Sequence, residues 1–207
     1  LVSEKIDGLS FVATYVNGCL TKGATRGDGR SGILITDKLL HILPNQLTEP
    51  VTLDVRGELT LTDNDHQHLG FKNRRNGTVG LINRDAVSTA AVAKIKGLAY
   101  QIKSGYMATA SVEDHLKVLH NLGFQTPSWT HIDCNQAAIL SIEETLASYL
   151  NERKAKAPYD IDGLGISDTA YRLEDQHLPD GMVAFKVNTD AVNNTVKGIE
   201  WHVPKKR

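Results

Sequence analysis

The sequence is poor in residues that would staple it or hold a metal. Its 207 residues include two cysteines, Cys19 and Cys134, isolated from each other and from any CxxC or Cys/His cluster. That pattern argues against zinc and disulfides and reads as reduced, buried thiols. Long apolar runs are lacking as well. The stretches from Gly32 to Ile35 and from Leu39 to Leu43 fall far short of the roughly 20 residues a membrane-spanning helix needs. Positive charge is not in excess: 23 Lys and Arg stand against 24 Asp and Glu, for a net charge of -1. Composition therefore gives no sign of a surface that grips nucleic-acid phosphates, and only Lys205, Lys206 and Arg207, with Lys94 and Lys96, form local basic groups. No basic, apolar and small-residue progression opens the sequence, which begins at Leu1, and the expected location is cytoplasmic. Internal repeats and low-complexity linkers are absent.

What is present is a globular composition, 41% hydrophobic, with enough length for one large domain or one domain and a small appendage. Leu9 to Val16 is rich in β-branched and aromatic residues, and Asn17-Gly18 tolerates the positive φ of a two-residue hairpin turn, so a return strand is expected from Cys19 to about Thr25. A glycine-rich loop, Arg26 to Gly32, precedes an apolar pattern from Ile33 to Leu43 that Pro44 ends, and Val51 to Leu59 reads as a strand. Val112 to Leu122 reads as a helix stopped by Gly123, and Ser141 to Lys154 as another, opened by a capping box of Ser141 and Glu144. Ile161–Ile166, Val183–Val187 and Thr195–Val203 are the remaining expected strands. Hairpin-connected strands with few helices imply an α+β fold of antiparallel sheets flanked by helices.

The chemistry gathers at strand ends and the loops beside them. Lys5-Ile-Asp-Gly8 puts a lysine two residues before Asp7, so in extended chain both side chains face one side. A lysine amine becomes a usable nucleophile when neighbouring cations or desolvation favour its neutral form, so further basic groups should share its site. Downstream follow Ala24-Thr-Arg-Gly-Asp-Gly29, Val55-Arg-Gly-Glu58, Asn73-Arg-Arg-Asn76 with Gly80, Tyr159-Asp-Ile-Asp-Gly163 and Val183-Ala-Phe-Lys186.

In this order and spacing the motifs resemble the adenylation domain of NAD-dependent DNA ligases. The resemblance covers nearly the whole chain and implies a covalent nucleotidyltransferase fold, related to ATP-grasp, over residues 1–200, with residues 201–207 leading into an OB-fold. It implies that Lys5 attacks the α-phosphorus of NAD, releases nicotinamide mononucleotide and carries AMP for transfer to the 5'-phosphate of nicked double-stranded DNA. Arg26 and Arg75 would contact nucleotide or DNA phosphates, Glu58 the ribose, and Lys186 the transferring phosphate. Asp7 and Asp162 would orient Lys5 or help place Mg2+, with Asp162 the metal candidate. KxDG and the closing lysine are shared with ATP-dependent ligases and capping enzymes, so RNA-ligase or capping-type transfer from ATP or GTP, and an inactive binding subunit, remain alternatives.

Four positions depart from the family pattern. The glutamate expected two residues before the nucleophile is Ser3, and Glu4, one position later, is the acidic residue assigned to the nucleotide. The lysine that ends the strand after IDG is replaced by Ser167, removing one expected cation. The second arginine after the RN segment falls at Asn83, beside Arg84. The adenine-stacking aromatic falls near Lys103, while strand alternation would turn the nearby Tyr100 to the other face. The other ligase modules have no counterpart in the sequence, which predicts a fragment or a split, phage-type subunit that needs a partner, in a bacterial or phage-infected cytoplasm.

Overall fold

The computed structural model describes residues 1–27, 31–84, 88–133, 141–171 and 181–187. The fold is α+β, as expected. One four-stranded sheet has the order β3-β2-β4-β5, from Cys19–Thr25 (β3), Leu9–Val16 (β2), Leu53–Leu61 (β4) and Ile95–Gly105 (β5). The other has the order β6-β1-β7-β8, from Trp129–Thr130 (β6), Val2–Ile6 (β1), Ile161–Ser167 (β7) and Met182–Phe185 (β8). Every pairing between these strands is antiparallel. Among the described residues the helices are Thr36–Leu39 (α1), Asp63–His68 (α2), Arg74–Asn83 (α3), Thr89–Val92 (α4), Val112–Asn121 (α5) and Ile142–Lys156 (α6).

Period-two patterning places the main core. On β2, Phe11, Ala13 and Tyr15 are fully buried and join Leu53, Val55 and Leu59 of β4 with Ile95, Ala99 and Ile102 of β5. The opposite face of β2 and β4 is left to Ser10, Thr14, Asp54, Arg56 and Glu58, and this polar face supplies part of the site. A second core forms where Leu146 and Leu150, four apart on α6, meet Val2, Ile161 and Leu164. Full burial of each leucine contributes about 1.5–3 kcal/mol. A third cluster joins Leu1 with Val112 and Leu116 of α5, bordered by Tyr100, Trp129 and Met182, so both sheets and α5 contribute to it.

The hairpin turn forms at Asn17-Gly18 with φ of 49° and 78°, the positive values that pair tolerates. Cys19, at the first position of β3, points outward while Leu20 points in, so this thiol is exposed rather than buried. Cys134 and the expected strand Thr195–Val203 lie outside the described residues. Ser141 makes no capping bond from its side chain; the capping box is at Ser111 and Asp114, which bond reciprocally at the start of α5.

The glycine of Val55-Arg-Gly-Glu58 has a packing cause. A methyl at position 57 would lie 2.2 Å from the Leu98 carbonyl oxygen and 2.7 Å from the Phe11 ring. Gly57→Ala is therefore expected to destabilise the fold by about 1–3 kcal/mol, read as a lower urea midpoint; an unchanged midpoint would mean that β5 yields freely.

His115 on α5 is fully buried, accepting from the Ile102 N–H at Nδ1 (3.2 Å) and donating from Nε2 to the Met107 carbonyl (2.9 Å). Those partners require the neutral ring, and burial lowers its pKa from the ordinary value. The unfolded chain takes up this proton near pH 6.5 while the folded chain resists it. The contribution is fully present above about pH 6.5 and is lost as pH falls below it toward the folded pKa. Urea unfolding at pH 7.5 and pH 5.5 should show lower stability at the acidic value, and NMR should show the His115 ring titrating below the ordinary histidine value.

Candidate active site

Lys5 sits near the end of β1, where the pairing with β7 slips. Lys5 is opposite Gly163 but Ile6 is opposite Ile161, so Asp162 is the extra residue of a bulge. The bulge turns the Asp162 carboxylate toward the nucleophile: Lys5 Nζ lies 2.6 Å from Asp162 Oδ2. Lys186, the residue after β8, reaches the same oxygen at 2.8 Å. One carboxylate oxygen thus holds two ammonium groups together. The hydrogen bond from Lys186, and then that from Lys5, pull the Asp162 pKa down to about 2. The carboxylate is therefore held ionised at neutral pH and is placed to orient both lysines.

The Asn73-Arg-Arg-Asn76 segment is the start of α3. Asn73 is the N-cap, its side-chain oxygen accepting from the Asn76 N–H at 3.0 Å. Leu81 and Ile82 bury the helix in the main core, and Lys38 caps its far end by donating to the carbonyls of Ile82 and Arg84. So anchored, α3 directs Arg75 Nη1 to Asp7 Oδ1 at 2.9 Å and Arg74 to the carboxylate of Asp160. The backbone N–H of Asp7 donates to the Asp160 carbonyl at 2.9 Å, which ties the Lys5-Ile-Asp-Gly8 turn to the start of β7.

Glu58 is the acidic wall of the site. Ser10 Oγ donates to its Oε1 at 2.6 Å and the Tyr100 hydroxyl lies 3.4 Å from the same atom. Burial raises the Glu58 pKa, opposed by the Ser10 hydrogen bond and the charges of Arg56 and Lys5. The Lys5 charge is therefore felt at Glu58. Arg26 bonds to the Ser10 carbonyl through its backbone N–H at 2.9 Å, and its charge is felt at Tyr100, whose pKa burial raises.

The structure thus forms two ion-paired sets, Lys5 and Lys186 on Asp162 and Arg75 on Asp7, with the charge of Lys5 felt at Glu58 and that of Arg26 at Tyr100. Glu4 is not brought into either set. Adjacent residues of a strand point to opposite faces, and the Glu4 carboxylate is buried on the far side of β1 against Arg153, Tyr159 and Ser128. Tyr100, expected on the wrong face, is on the site side. Gly57 is opposite Ala99 and Arg56 opposite Gln101, so Tyr100 is the extra residue of a bulge that resets the alternation. Arg56 lies over its ring at 5.9 Å. Arg84 lies over the Phe71 ring at 5.9 Å rather than among the site cations. Ser167 exchanges backbone bonds with Leu1 and is buried, about 13 Å along β7 from Gly163 at the usual strand rise. Ser10, Arg74 and Tyr100 are the residues sequence reasoning did not assign. The Arg74-Arg75 pair in the quoted motif was the available signal for one of them.

The chain matches the family model of the NAD-dependent DNA ligase adenylation domain over residues 1–188. A DNA ligase of Rickettsia bellii is 35% identical over 192 residues, covering 86% of this chain and 27% of that protein. A DNA ligase of Ligilactobacillus salivarius is 29% identical over 220 residues, covering 96% of this chain and 32% of that protein. A solved structure of mycobacterial DNA ligase D complexed with ATP and MES aligns with a TM-score of 0.48 at 14% identity, over 89% of this chain and 53% of that one. The chain therefore spans between 27% and 32% of the length of these two curated relatives. With its motifs gathered around Lys5 and the family model matching nearly end to end, the chain belongs to the NAD-dependent DNA ligase adenylation domains.

Proposed function

We propose that the chain catalyses its own adenylation from NAD and passes AMP to the 5'-phosphate of nicked duplex DNA. In the first step Lys5 Nζ gives up its ammonium proton to solvent, the resulting amine forms a bond to the α-phosphorus of NAD as the bond to the nicotinamide mononucleotide oxygen breaks, and a second proton leaves the nitrogen for solvent. AMP is then held on Lys5 as a phosphoramidate. The observation that carries this reading is the Asp162 carboxylate, which holds Lys5 and Lys186 within 2.6 and 2.8 Å of one oxygen. A phosphate entering that space meets the nucleophile and a second cation together, so charge developing on phosphorus is offset by groups already in place. Glu58, hydrogen-bonded to Ser10, has the acceptor chemistry for a ribose hydroxyl. Arg26 and Arg75 are the guanidinium groups for nucleotide or DNA phosphates.

Magnesium fits only as an ion brought with the nucleotide. Among the described residues no group of three or more His, Cys, Asp or Glu could hold a metal, and Asp162 would offer one carboxylate to a shell completed by phosphate oxygens and water. When bound, the ion would withdraw charge from the phosphates.

Sealing a nick also needs duplex grip and the nicotinamide end held in place. With a net charge of -1, we assign those tasks to further modules or a partner subunit. The deciding experiment is incubation of the chain, alone and with a ligase fragment carrying the other modules, with adenine-labelled NAD, ATP or GTP. Acid-labile label from NAD alone is expected, weak without the added fragment and strong with it. Label from ATP or GTP instead would make the chain an RNA-ligase or capping-type enzyme, and none in any arm would make it a binding subunit.

A further inference from the structure

We propose that Glu4, through Tyr159 and Arg153, is a positioning residue that sets where the Lys5 nucleophile and its Asp162 partner stand; the catalytic part of this rests on the adenylation reading above. The Glu4 side chain is fully buried and each of its oxygens is used. Arg153 Nε from α6 donates to Oε1 at 2.7 Å, while the Tyr159 hydroxyl and the Ser128 N–H donate to Oε2 at 2.8 and 2.9 Å. Arg153 also donates from Nη2 to Ser128 Oγ at 3.0 Å, and the Glu4 N–H donates to the Ser128 carbonyl at 3.0 Å. One carboxylate therefore joins α6, the segment before β6 and the segment before β7 to the strand that carries the nucleophile.

Two features make that junction more than a source of stability. The first is adjacency. Glu4 and Lys5 are consecutive, so a shift or twist of the backbone at Glu4 is transmitted directly to the Lys5 side chain on the opposite face. The strand is only five residues long and its neighbour β6 only two, so the hydrogen-bond ladder on that side holds β1 over a short span. The second is the place of Tyr159. It stands three residues before Asp162, and the residues between them are already committed: Asp160 receives Arg74 and the Asp7 N–H, and Ile161 is in the second core. Holding the Tyr159 hydroxyl on Glu4 fixes the point from which the β7 bulge starts, and the bulge is what turns Asp162 to Lys5. The same carboxylate so anchors both partners of the Lys5–Asp162 pair from the far side of the sheet.

Removing Glu4 would strand the Arg153 charge, so the test uses milder changes. Tyr159→Phe keeps the ring and removes one donor, and Arg153→Lys keeps the charge and loses the fork to Ser128. Three quantities are measured on the full chain: the single-turnover rate of AMP attachment at saturating NAD, in the presence of the ligase fragment carrying the other modules; the apparent Kd for NAD; and trace acetylation of Lys5 by acetic anhydride relative to exposed Lys22, read by peptide mass spectrometry. In Tyr159→Phe the rate should fall on the order of tenfold with Kd unchanged. The Lys5 to Lys22 acetylation ratio should rise severalfold, because an amine released from Asp162 is freer to meet a small electrophile. Arg153→Lys should move both in the same directions. Slower adenylation by a more reactive lysine is the signature of lost positioning. An unchanged acetylation ratio overturns the proposal, as does a rise shared by all lysines, which is general loosening, or a weaker Kd at constant rate. The acetylation ratio needs no nucleotide, so failure of the wild-type chain to take label from NAD would overturn the functional reading and leave the positioning of Lys5 decided by acetylation.

Discussion

Lys5→Ala is expected to abolish attachment of AMP, by at least about 10⁴-fold, or roughly 5 kcal/mol of barrier, because it removes the amine that becomes the phosphoramidate. Its effect on stability should be small. The Lys5 side chain is 42% exposed, and its removal leaves the Asp162 carboxylate paired with Lys186 at 2.8 Å, so no buried charge is stranded. The pair of measurements is labelling from NAD with peptide mapping of the product, and a thermal melt of the variant beside the parent chain. AMP mapped to Lys186 or Lys22 would remove Lys5 from the role of nucleophile. A collapse of the melting transition would make loss of labelling uninformative about chemistry, and the exposed position of the side chain argues against that result.

Lys186→Ala should slow AMP attachment by about 10²–10³-fold, the usual cost of removing one preorganised group that meets charge developing in a transition state. The variant keeps the Lys5–Asp162 contact of 2.6 Å, so the nucleophile stays in place and the loss falls on the chemical step more than on nucleotide binding. Lys186→Arg, with a larger and planar head, should recover part of the rate. The measurement is the single-turnover rate at saturating NAD beside the apparent Kd. A loss below about threefold, or a loss confined to Kd, would mean that Lys186 serves to hold Asp162 and does not meet the phosphate.

Local chemistry in the sequence carried several elements. The Asn17-Gly18 turn, the helix Val112–Asn121 and the strand Leu9–Val16 follow from residues that act on their immediate neighbours, through positive φ, helical spacing and β-branching. Ser141 shows the limit of such reading: it has the spacing of a capping box with Glu144, yet the helix begins without it, while Ser111 and Asp114 form one. The segment Asn73–Asn83 reads as a motif and not as a helix, because its two glycines and mixed face give little helical periodicity. It is helical through an N-cap at one end, Lys38 at the other and the burial of Leu81 and Ile82 between them.

The sequence by itself determined the residue types and their order: a lysine before Asp7, the arginine and glutamate motifs, the closing Lys186, and from these the family that the match over residues 1–188 shows. Only the tertiary structure decided which side chains meet. Bulges, those at Asp162 and Tyr100 among them, reset the side on which residues point, and alternation counted along a single strand cannot see an extra residue that its neighbour's pairing creates. Glu4 and Lys5 are adjacent in sequence and of opposite charge, yet they serve different faces of β1, one buried against Arg153 and the other paired with Asp162. The physical reason is that an ion pair across 157 residues is selected by sheet register and burial, which belong to the whole chain and to no segment of it.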